Sequence, residues 1–254
     1  MKSKLKNACV LFSAFFIISC NNSDSSDSGE NDKTKMDTMD ITNKMQPDTT
    51  SAVSLFDGKT LNGWHGFNKT GEIKNWTIED GAMVCLGASK DAAGGDIVSD
   101  KQYENFELNW EWKISKGGNS GVMYHVVEDT KYKSPYETGP EYQMIDDKDF
   151  PEKLEDWQKT GADYAMYAAN EKKKAKPVGE WNTSKIIFNN GHVEHWLNGE
   201  KIVEFDKKGD EWKKKRAEGK WKDFPDYGSA DKGGIALQDH GQKAWFKNIT
   251  IREL

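Results

Sequence analysis

Two Asn-Gly steps, Asn190-Gly191 and Asn198-Gly199, constrain this chain more than any other feature of its sequence. Both residue types tolerate the positive φ angles that tight two-residue hairpin turns require. Short apolar segments lie on either side of the two steps: Ile186 to Phe188, Val193 to Leu197, and Ile202 with Val203. An Asn-Gly step between apolar segments is the strongest short-range signal for a β-hairpin. The stretch 179–205 is therefore predicted to be a three-stranded antiparallel meander.

The rest of the chain shows the same pattern of short strands and tight turns. A strand with one buried and one solvated face is predicted where apolar residues alternate with polar ones: Phe106, Leu108, Trp110, Trp112 and Ile114. Further strands are predicted at 76–78, 82–86, 122–126, 141–146, 233–238 and 245–252. The Gly-rich stretch 117–121 is predicted to be a tight turn, because it lacks the lysine and helix of a phosphate-binding loop.

Many short strands, with neither a heptad nor a βαβ alternation, indicate an all-β domain. We expect a concanavalin-like jelly-roll β-sandwich of two antiparallel sheets, with one concave face open to ligand. One short helix is predicted within 210–222. The long irregular segment 147–178 is predicted to be a rim loop or lid, because loops of this length in compact domains are typically functional.

The first 20 residues have the features of an export signal. Three lysines precede an apolar run from Ala8 to Ile18, which is too short for a permanent membrane-spanning helix. Ser19 and Cys20 follow directly, and this arrangement resembles a bacterial lipobox. The resemblance implies that residues 1–20 are a lipoprotein signal peptide, and that Cys20 is lipidated and anchors the protein to a membrane.

Residues 21–51 are rich in Ser, Asp, Asn, Thr and Lys, and such a composition predicts a flexible tether. The folded domain is then 52–254, and Cys85 is its only cysteine, so no internal disulfide is expected. Asn21 directly after Cys20 resembles the signals that sort lipoproteins to the outer membrane. Whether the anchored domain faces the periplasm or the cell exterior stays open.

The charge balance excludes one class of partner. The formal net charge is −6, whereas nucleic-acid binding requires clustered Lys and Arg on a basic face, so no nucleic-acid partner is expected. The 10 tryptophans and 8 tyrosines are compatible both with a sheet core and with stacking on sugar rings.

Paired acid and base groups are the best candidates for chemistry. Glu141 begins a predicted strand, on which Gln143 and Ile145 share its face, and Asp239-His240 lies between two strands. Both sets can lie on the rim of one face, although Glu141 is equally compatible with a solvated strand residue and His240 with a turn residue. No compact zinc spacing and no Gly-x-Ser-x-Gly elbow occurs. The residues around His192 are expected to alternate between faces, so no metal site is predicted, although a divalent metal is not excluded.

Several segments together resemble the bacterial 3-keto-disaccharide hydrolase domain. They are LFDGKTLNGW, the strand after Asn119-Ser120-Gly121, EYQMID, GEWNTSKIIFNNGHVEHWLNGEKIVEF and GGIALQDHGQKAWFKNITIREL. They cover 53–254 in order. The resemblance implies a concanavalin-like sandwich, export, and hydrolysis of a small carbohydrate substrate already oxidised to a ketone at carbon three.

The implied chemistry needs a base at carbon two, an acid at the leaving oxygen and donors to an enolate. Glu141 is the expected base, and His240 the expected acid or enolate donor, oriented by Asp239. Hydrogen bonds or stacking with the substrate are expected from four further residues: Gln143, Tyr124, Trp181 and His195. From its position inside an apolar strand, His195 is also compatible with a structural role.

Two other functions remain open at this point. A concanavalin-like sandwich can bind glycans without cleaving them, which would make the chain a lectin-like envelope lipoprotein. A purely structural envelope lipoprotein would have no concave polar site. Convergence of Glu141 and His240 in one pocket would favour the hydrolase.

Overall fold

The computed structural model describes residues 51–87 and 95–254. The signal peptide, the lipidated Cys20 and the tether up to residue 50 lie outside the described residues and stay predictions. Within the described part of the chain, none of the helices is long and apolar enough to cross a membrane.

Thirteen strands and one α-helix make up the described fold. In chain order they are β1 (Val53–Ser54), β2 (Trp64–Gly66), β3 (Trp76–Glu79), β4 (Ala82–Cys85), β5 (Ile97–Ser99), β6 (Phe106–Ile114), β7 (Asn119–Val126), β8 (Glu141–Ile145), β9 (Asn182–Asn189), β10 (His192–Leu197), β11 (Glu200–Asp206), α1 (Asp210–Glu218), β12 (Gly234–Leu237) and β13 (Ala244–Glu253). Three 3-10 turns lie at Pro135–Glu137, Asp156–Gln158 and Lys220–Asp223.

The larger sheet has eight strands in the order β11-β10-β9-β6-β13-β4-β3, and β1 also pairs with β13. Its pairings are all antiparallel. The predicted meander is confirmed as β9, β10 and β11, and Asn190 and Asn198 adopt φ angles of 52° and 49° in its two turns. The Asn-Gly steps therefore turn the chain as the sequence predicts.

The smaller sheet has five strands in the order β2-β5-β12-β7-β8, also antiparallel. β7 begins at Asn119, three residues earlier than predicted, because Asn119 to Gly121 continue the pairing with β8. The turn therefore shrinks to the residues around Gly117 and Gly118. The predicted all-β architecture with two antiparallel sheets and one short helix is confirmed.

The main hydrophobic core lies between the sheets. The apolar residues of β6 are buried there, whereas its polar residues are half-buried on the other face. A smaller cluster covers the outer face of the five-stranded sheet, and its buried members are Phe67, Val98, Met123, Val126 and Ala236. The face of β7 and β8 that points away from the main core is thus also partly covered.

Candidate functional site

Glu141 lies on the outer face of the five-stranded sheet. Its neighbour Tyr142 points into the main core, where its hydroxyl accepts a hydrogen bond from Ser184 Oγ at 2.8 Å. Successive strand residues point to opposite faces, so Glu141 and Gln143 lie together on the outer side, as predicted. The Glu141 side chain lies over Gly121 of β7, and a Cβ at position 121 would overlap Glu141 Oε1. Gly121 therefore makes the room that the carboxyl occupies.

The Glu141 carboxyl is buried without a hydrogen bond at one oxygen. Glu141 is 3% exposed, and its Oε1 has no hydrogen-bond partner among the described residues. Burial raises the pKa of Glu141 to about 8, the charge of Asp96 adds to this rise, and the charge of Lys220 opposes it. A carboxyl with a pKa near neutral is suited to accept and return a proton during a reaction.

Residues 161–164 pair along the edge of β8. The Gly161 amide donates to Gln143 O at 2.8 Å, the Tyr164 amide donates to Glu141 O at 3.0 Å, and Asp163 forms a bridge with Tyr142. Because paired residues share a face, Tyr164 lies on the face of Glu141. Lys220 Nζ is 4.2 Å from the centroid of the Tyr164 ring. We refer to Glu141, Gln143, Tyr164 and Lys220 as the Glu141 site.

Asp163 is a second buried carboxyl at the same sheet edge, on the opposite face. It has no exposed surface, and neither carboxyl oxygen has a hydrogen-bond partner among the described residues. Burial and the charge of Glu141 raise the pKa of Asp163 well above its ordinary value, while Lys207 opposes the shift. Because two negative charges this deeply buried repel one another, the edge favours protonated carboxyls.

Carboxamides lie beside the Glu141 site. Gln143 Oε1 accepts a hydrogen bond from the Met144 amide at 3.0 Å. Asn119 Oδ1 and Gln238 Oε1 are buried with no hydrogen-bond partner among the described residues. The Gln238 amide donates to Gly121 O at 3.0 Å, which places this residue next to the glycine under Glu141. Amide groups in such positions can exchange hydrogen bonds with hydroxyl groups of a ligand.

The Asp239 carboxylate accepts hydrogen bonds from neighbouring loops and none from His240. Its Oδ2 accepts hydrogen bonds from Asn75 Nδ2 at 2.6 Å and from the Gly95 amide at 3.0 Å, and its Oδ1 accepts one from the Gly241 amide at 3.0 Å. His240 is exposed, and its Nδ1 lies 3.4 Å from Gln242 Oε1. The expected orienting hydrogen bond from Asp239 to His240 is therefore not present.

Asp239 is nevertheless linked to the Glu141 site through Asp96. The Asp239 amide donates to Asp96 Oδ1 at 2.8 Å, and burial raises the pKa of Asp96 to about 6. The charge of Asp96 in turn acts on Glu141. The loop that carries Asp239 and His240 follows Gln238, whose amide donates to Gly121 O, so this loop begins beside the glycine under Glu141.

Three other predicted residues lie away from Glu141. Tyr124 and His195 are fully buried and their rings meet edge to face in the main core, 6.4 Å between centroids. His195 Nδ1 donates to Gly161 O at 3.1 Å, and burial lowers its pKa to about 4. Trp181 lies on the outer face of the eight-stranded sheet, with Lys113 Nζ 5.0 Å from its ring centroid. None of the three shares a face with Glu141.

His192, Glu194 and Glu204 form the one potential metal-ligating group found among the described residues, with ligand atoms within 4.8 Å of one another. The expected alternation along this strand is confirmed, because His192 and Glu194 lie on the solvated face and His195 on the buried face. His192 and Glu194 are two residues apart on β10, and Glu194 pairs with Glu204. Lys201 Nζ lies 3.2 Å from Glu194 and 2.6 Å from Glu204, so the carboxylates already have a cation.

The sequence interpretation missed Asp96, Asp163, Tyr164 and Lys220. Tyr164 lies in the segment 147–178, whose length had indicated a functional rim. Asp96 and Lys220 carry no local pattern that points to Glu141, because they approach it from distant parts of the chain. The pairing of 161–164 with β8 places Asp163 and Tyr164 beside Glu141, whereas Asp96 and Lys220 lie outside that segment.

Comparison with known proteins is consistent with this architecture. A crystal structure of a candidate glycosyl hydrolase from Parabacteroides distasonis is 50% identical, with a TM-score of 0.75, over 80% of this chain and 94% of that one. A second candidate glycosyl hydrolase structure from the same species is 29% identical, with a TM-score of 0.59, over 81% of this chain and 100% of that one.

Sequence comparison identifies the family. A Bacteroides thetaiotaomicron protein named 3-keto-disaccharide hydrolase is 35% identical over 232 residues, which cover 82% of this chain and 80% of that protein. The family model described as the 3-keto-alpha-glucoside-1,2-lyase-like domain matches residues 51–252. These matches confirm the resemblance seen in the sequence. The chain belongs to the 3-keto-alpha-glucoside-1,2-lyase-like domain family.

Proposed function

We propose that this protein is a glycoside hydrolase that cleaves 3-keto-glycosides by elimination followed by hydration. The observation that carries the proposal is Glu141, a buried carboxyl on the outer face of the five-stranded sheet whose pKa is raised to about 8. A ketone at carbon three makes the proton on carbon two acidic, and a carboxylate with a raised pKa is a correspondingly stronger base. The name of the Bacteroides relative supports the same substrate class.

In the first half-reaction, Glu141 takes the proton from carbon two. The electron pair of that C–H bond forms the enolate of the C3 ketone. The enolate then re-forms the ketone with a C1=C2 double bond as the C1–O bond breaks, and the leaving oxygen takes a proton. Water adds across this double bond in the second half-reaction, with its hydroxyl on C1 and a proton returned to C2. The route therefore ends in net hydrolysis although its first half is an elimination.

Lys220 is proposed to stabilise the enolate. Its Nζ lies 4.2 Å from the Tyr164 ring centroid, and its positive charge acts on Glu141. A cation held beside a developing oxyanion stabilises its negative charge and lowers the barrier. His240 stays the proposed donor to the leaving oxygen, since it is exposed in the loop that begins beside Gly121.

The test compares a 3-keto-glucoside with the matching unoxidised glucoside. We expect aglycone release from the keto sugar alone, and deuterium exchange into carbon two from D₂O. Release from both sugars at equal rates would contradict the elimination route. Binding of keto sugars without release would favour the non-catalytic carbohydrate-binding alternative.

For the chain before the domain, we propose a lipid anchor at Cys20 and an outer-membrane location. The lipobox-like 1–20 and the polar tether 21–51 support this proposal. Metabolic labelling with a radioactive fatty acid should mark the wild-type protein, and Cys20→Ser should abolish the label. Labelling of the Cys20→Ser variant would contradict it.

A further inference from the structure

Two rows of side chains cross the outer face of the five-stranded sheet. Antiparallel partners share a face, so the pairing of β5, β12, β7 and β8 defines each row. The first row consists of Val98, Ala236, Met123 and Glu141. The same register, carried two residues further along each strand, gives a second row of Asp96, Gln238, Gly121 and Gln143. The second row is therefore polar except for its glycine.

The Glu141 carboxyl leaves its own row and occupies the space above Gly121. A Cβ at position 121 would overlap Glu141 Oε1 and lie 2.8 Å from its Cδ. Adjacent strands are about 4.8 Å apart, so this carboxyl lies about one strand from Gln238 and about two strands, or about 10 Å, from the backbone of Asp96. The two acidic groups therefore lie on either side of Gln238 on one surface of the sheet.

Unpartnered oxygens surround the glycine between these groups. Glu141 Oε1 and Gln238 Oε1 are buried and have no hydrogen-bond partner among the described residues. Asn119 lies two residues before Gly121 on β7, and therefore on the same face, and its Oδ1 is a third such atom. Buried polar atoms normally have partners, so three together indicate a bound molecule that supplies donors. Hydroxyl groups of a sugar and water molecules both supply them.

Asp96 differs from Glu141 in the space beside it. Asp96 borders a cavity of about 330 Å³, whose lining also includes Gly66, Lys69 and Thr70. A cavity of this size can hold several water molecules. Glu141 is only 3% exposed and does not belong to this lining. Water can therefore stand against Asp96 while Glu141 stays covered.

Neighbouring groups orient the Asp96 carboxylate and favour its charge. Its Oδ1 accepts a hydrogen bond from the Asp239 amide at 2.8 Å. A Cβ at Gly95 would lie 2.9 Å from Lys69 Nζ, so this ammonium group lies beside the residue that precedes Asp96. Burial raises the pKa of Asp96 to about 6, while the hydrogen bond from Asp239 and the charge of Lys69 oppose the rise. At neutral pH the carboxylate can therefore accept a proton from water.

We propose that Asp96 is the general base that activates water in the second half-reaction. This inference rests on the proposed function, in which elimination leaves a C1=C2 double bond conjugated with the C3 ketone. Asp96 takes one proton from water, and the oxygen of that water forms a bond with C1. The electron pair of the double bond moves to the ketone oxygen as an enolate, and protonated Glu141 returns its proton to C2. Asp96 then gives its proton to solvent, which replaces the proton that the leaving oxygen took up.

The spacing of the two carboxyl groups suits this division of labour. In inverting glycosidases, carboxyl groups about 6.5–9.5 Å apart leave room for one water between a carboxylate and the sugar carbon that it attacks. Asp96 and Glu141 lie on the same face at a distance of this order, with Glu141 facing C2 and Asp96 facing the adjacent C1 across a water molecule.

Product analysis with the full chain tests this role. From a 3-keto-glucoside, the wild type should form hydrated sugar and aglycone in equal amounts. Asp96→Asn should lower the ratio of hydrated sugar to aglycone at least 100-fold, and the unsaturated 3-keto sugar should accumulate, because an amide cannot take a proton from water. Asp100→Asn, just past the other end of β5, is the matched control and should keep the wild-type ratio. An unchanged ratio in Asp96→Asn would overturn the proposal.

Chemical rescue separates a base from a structural carboxylate. In Asp96→Ala, added sodium formate should raise the hydration rate at least tenfold, because its carboxylate can enter the space left by the side chain. The Asn at position 96 can still accept the Asp239 amide, so Asp96→Asn should keep the wild-type Tm. Loss of hydration with a lowered Tm and no rescue by formate would assign Asp96 a structural role and overturn the proposal.

Failure of the proposed function has a different signature. If the wild type releases no aglycone, the elimination is absent, and the unsaturated 3-keto sugar supplied directly tests Asp96 by itself. The wild type should hydrate this sugar at least 100-fold faster than Asp96→Asn does. Equal rates would overturn the role of Asp96, whatever the protein does to the intact glycoside.

Discussion

Acidic side chains on the outer faces of the two sheets differ in their ion pairing and in the direction of their pKa shifts. On the eight-stranded sheet, Glu107 lies 3.0 Å from Arg252, Glu111 lies 3.3 Å from Lys247, and Glu194 lies 3.2 Å from Lys201. Burial alone would raise the pKa of Glu107 and Glu194, but hydrogen bonds from neighbouring side chains outweigh it and lower both values. On the five-stranded sheet, Glu141 forms no such ion pair with any described residue, and its pKa is raised.

The difference separates a surface whose carboxylates stay ionised in ion pairs from one whose carboxyl can exchange a proton during a reaction. Half-exposed carboxylates paired with lysine or arginine stay ionised and add little to stability, about 0–1 kcal/mol each. A buried carboxyl without a cation at hydrogen-bond distance destabilises the ionised form, and natural proteins keep such groups mainly where a function needs them. The contrast predicts which acidic residues can be replaced without consequence.

Glu141→Gln should have the largest effect. We expect activity on a 3-keto-glycoside to fall by about 10³-fold or more, because the amide cannot accept the proton. The folded protein binds one more proton than the unfolded chain between the ordinary pKa of 4.5 and about 8, so the free energy of unfolding of the wild type falls as pH rises through this window. The variant should therefore gain about 1–3 kcal/mol at pH 8 relative to the wild type, visible as a higher Tm.

The wild type and the Glu141→Gln variant should differ in free energy of unfolding at pH 8 more than at pH 5. Equal stability at pH 8 with a difference at pH 5 would contradict the raised pKa of Glu141. Glu194→Gln on the opposite sheet is the control.

Gly121→Ala should follow, with a loss of about 10–100-fold in activity. The added methyl group would overlap Glu141 Oε1, and the carboxyl must move because the backbone of β7 is paired on both sides. Since the displaced group is a side chain, stability should fall by less than about 3 kcal/mol. Thermal unfolding and steady-state kinetics measure the two effects, and an active variant would show that the position of the carboxyl over Gly121 is not required.

Two substitutions should move the pH profile in opposite directions. Lys220→Met removes the charge that lowers the pKa of Glu141, and Asp96→Asn removes the charge that raises it. The rising limb of kcat/KM against pH should therefore shift upward for the first variant and downward for the second, by about 0.5–1 pH unit. Shifts of the same sign would show that neither residue acts on Glu141 through its charge.

Glu194→Gln should have the smallest effect. We expect less than a twofold change in activity and about 0–1 kcal/mol in stability, because this carboxylate is a half-exposed partner of Lys201 far from the proposed chemistry. Activity assays with and without a chelator, on both proteins, check the result. A large loss in the variant that parallels a chelator effect would point to His192, Glu194 and Glu204 as a working metal site.

The sequence predicts the sheets well because turns and alternation are local signals. The turn at Asn190-Gly191 depends on the conformational preferences of these two residues, and the alternation of β6 is visible in its own sequence. The chemistry is harder to predict because burial is a property of the whole fold. From the sequence alone, Glu141 is compatible with a solvated strand residue, and its burial follows only from the pairing of residues 161–164 with its strand. Likewise, the sequence places Asp239 next to His240, whereas the structure shows its carboxylate in three hydrogen bonds to other groups.

The position of β13 has a consequence for how the molecule folds. This last strand pairs with β1, β4 and β6, so the centre of the eight-stranded sheet is built from both ends of the domain. Contacts between residues so distant along the chain form only after a large loss of chain entropy on loop closure, and this slows folding. A nascent chain that lacks β13 cannot complete the larger sheet. The domain should therefore fold only after β13 has been synthesised.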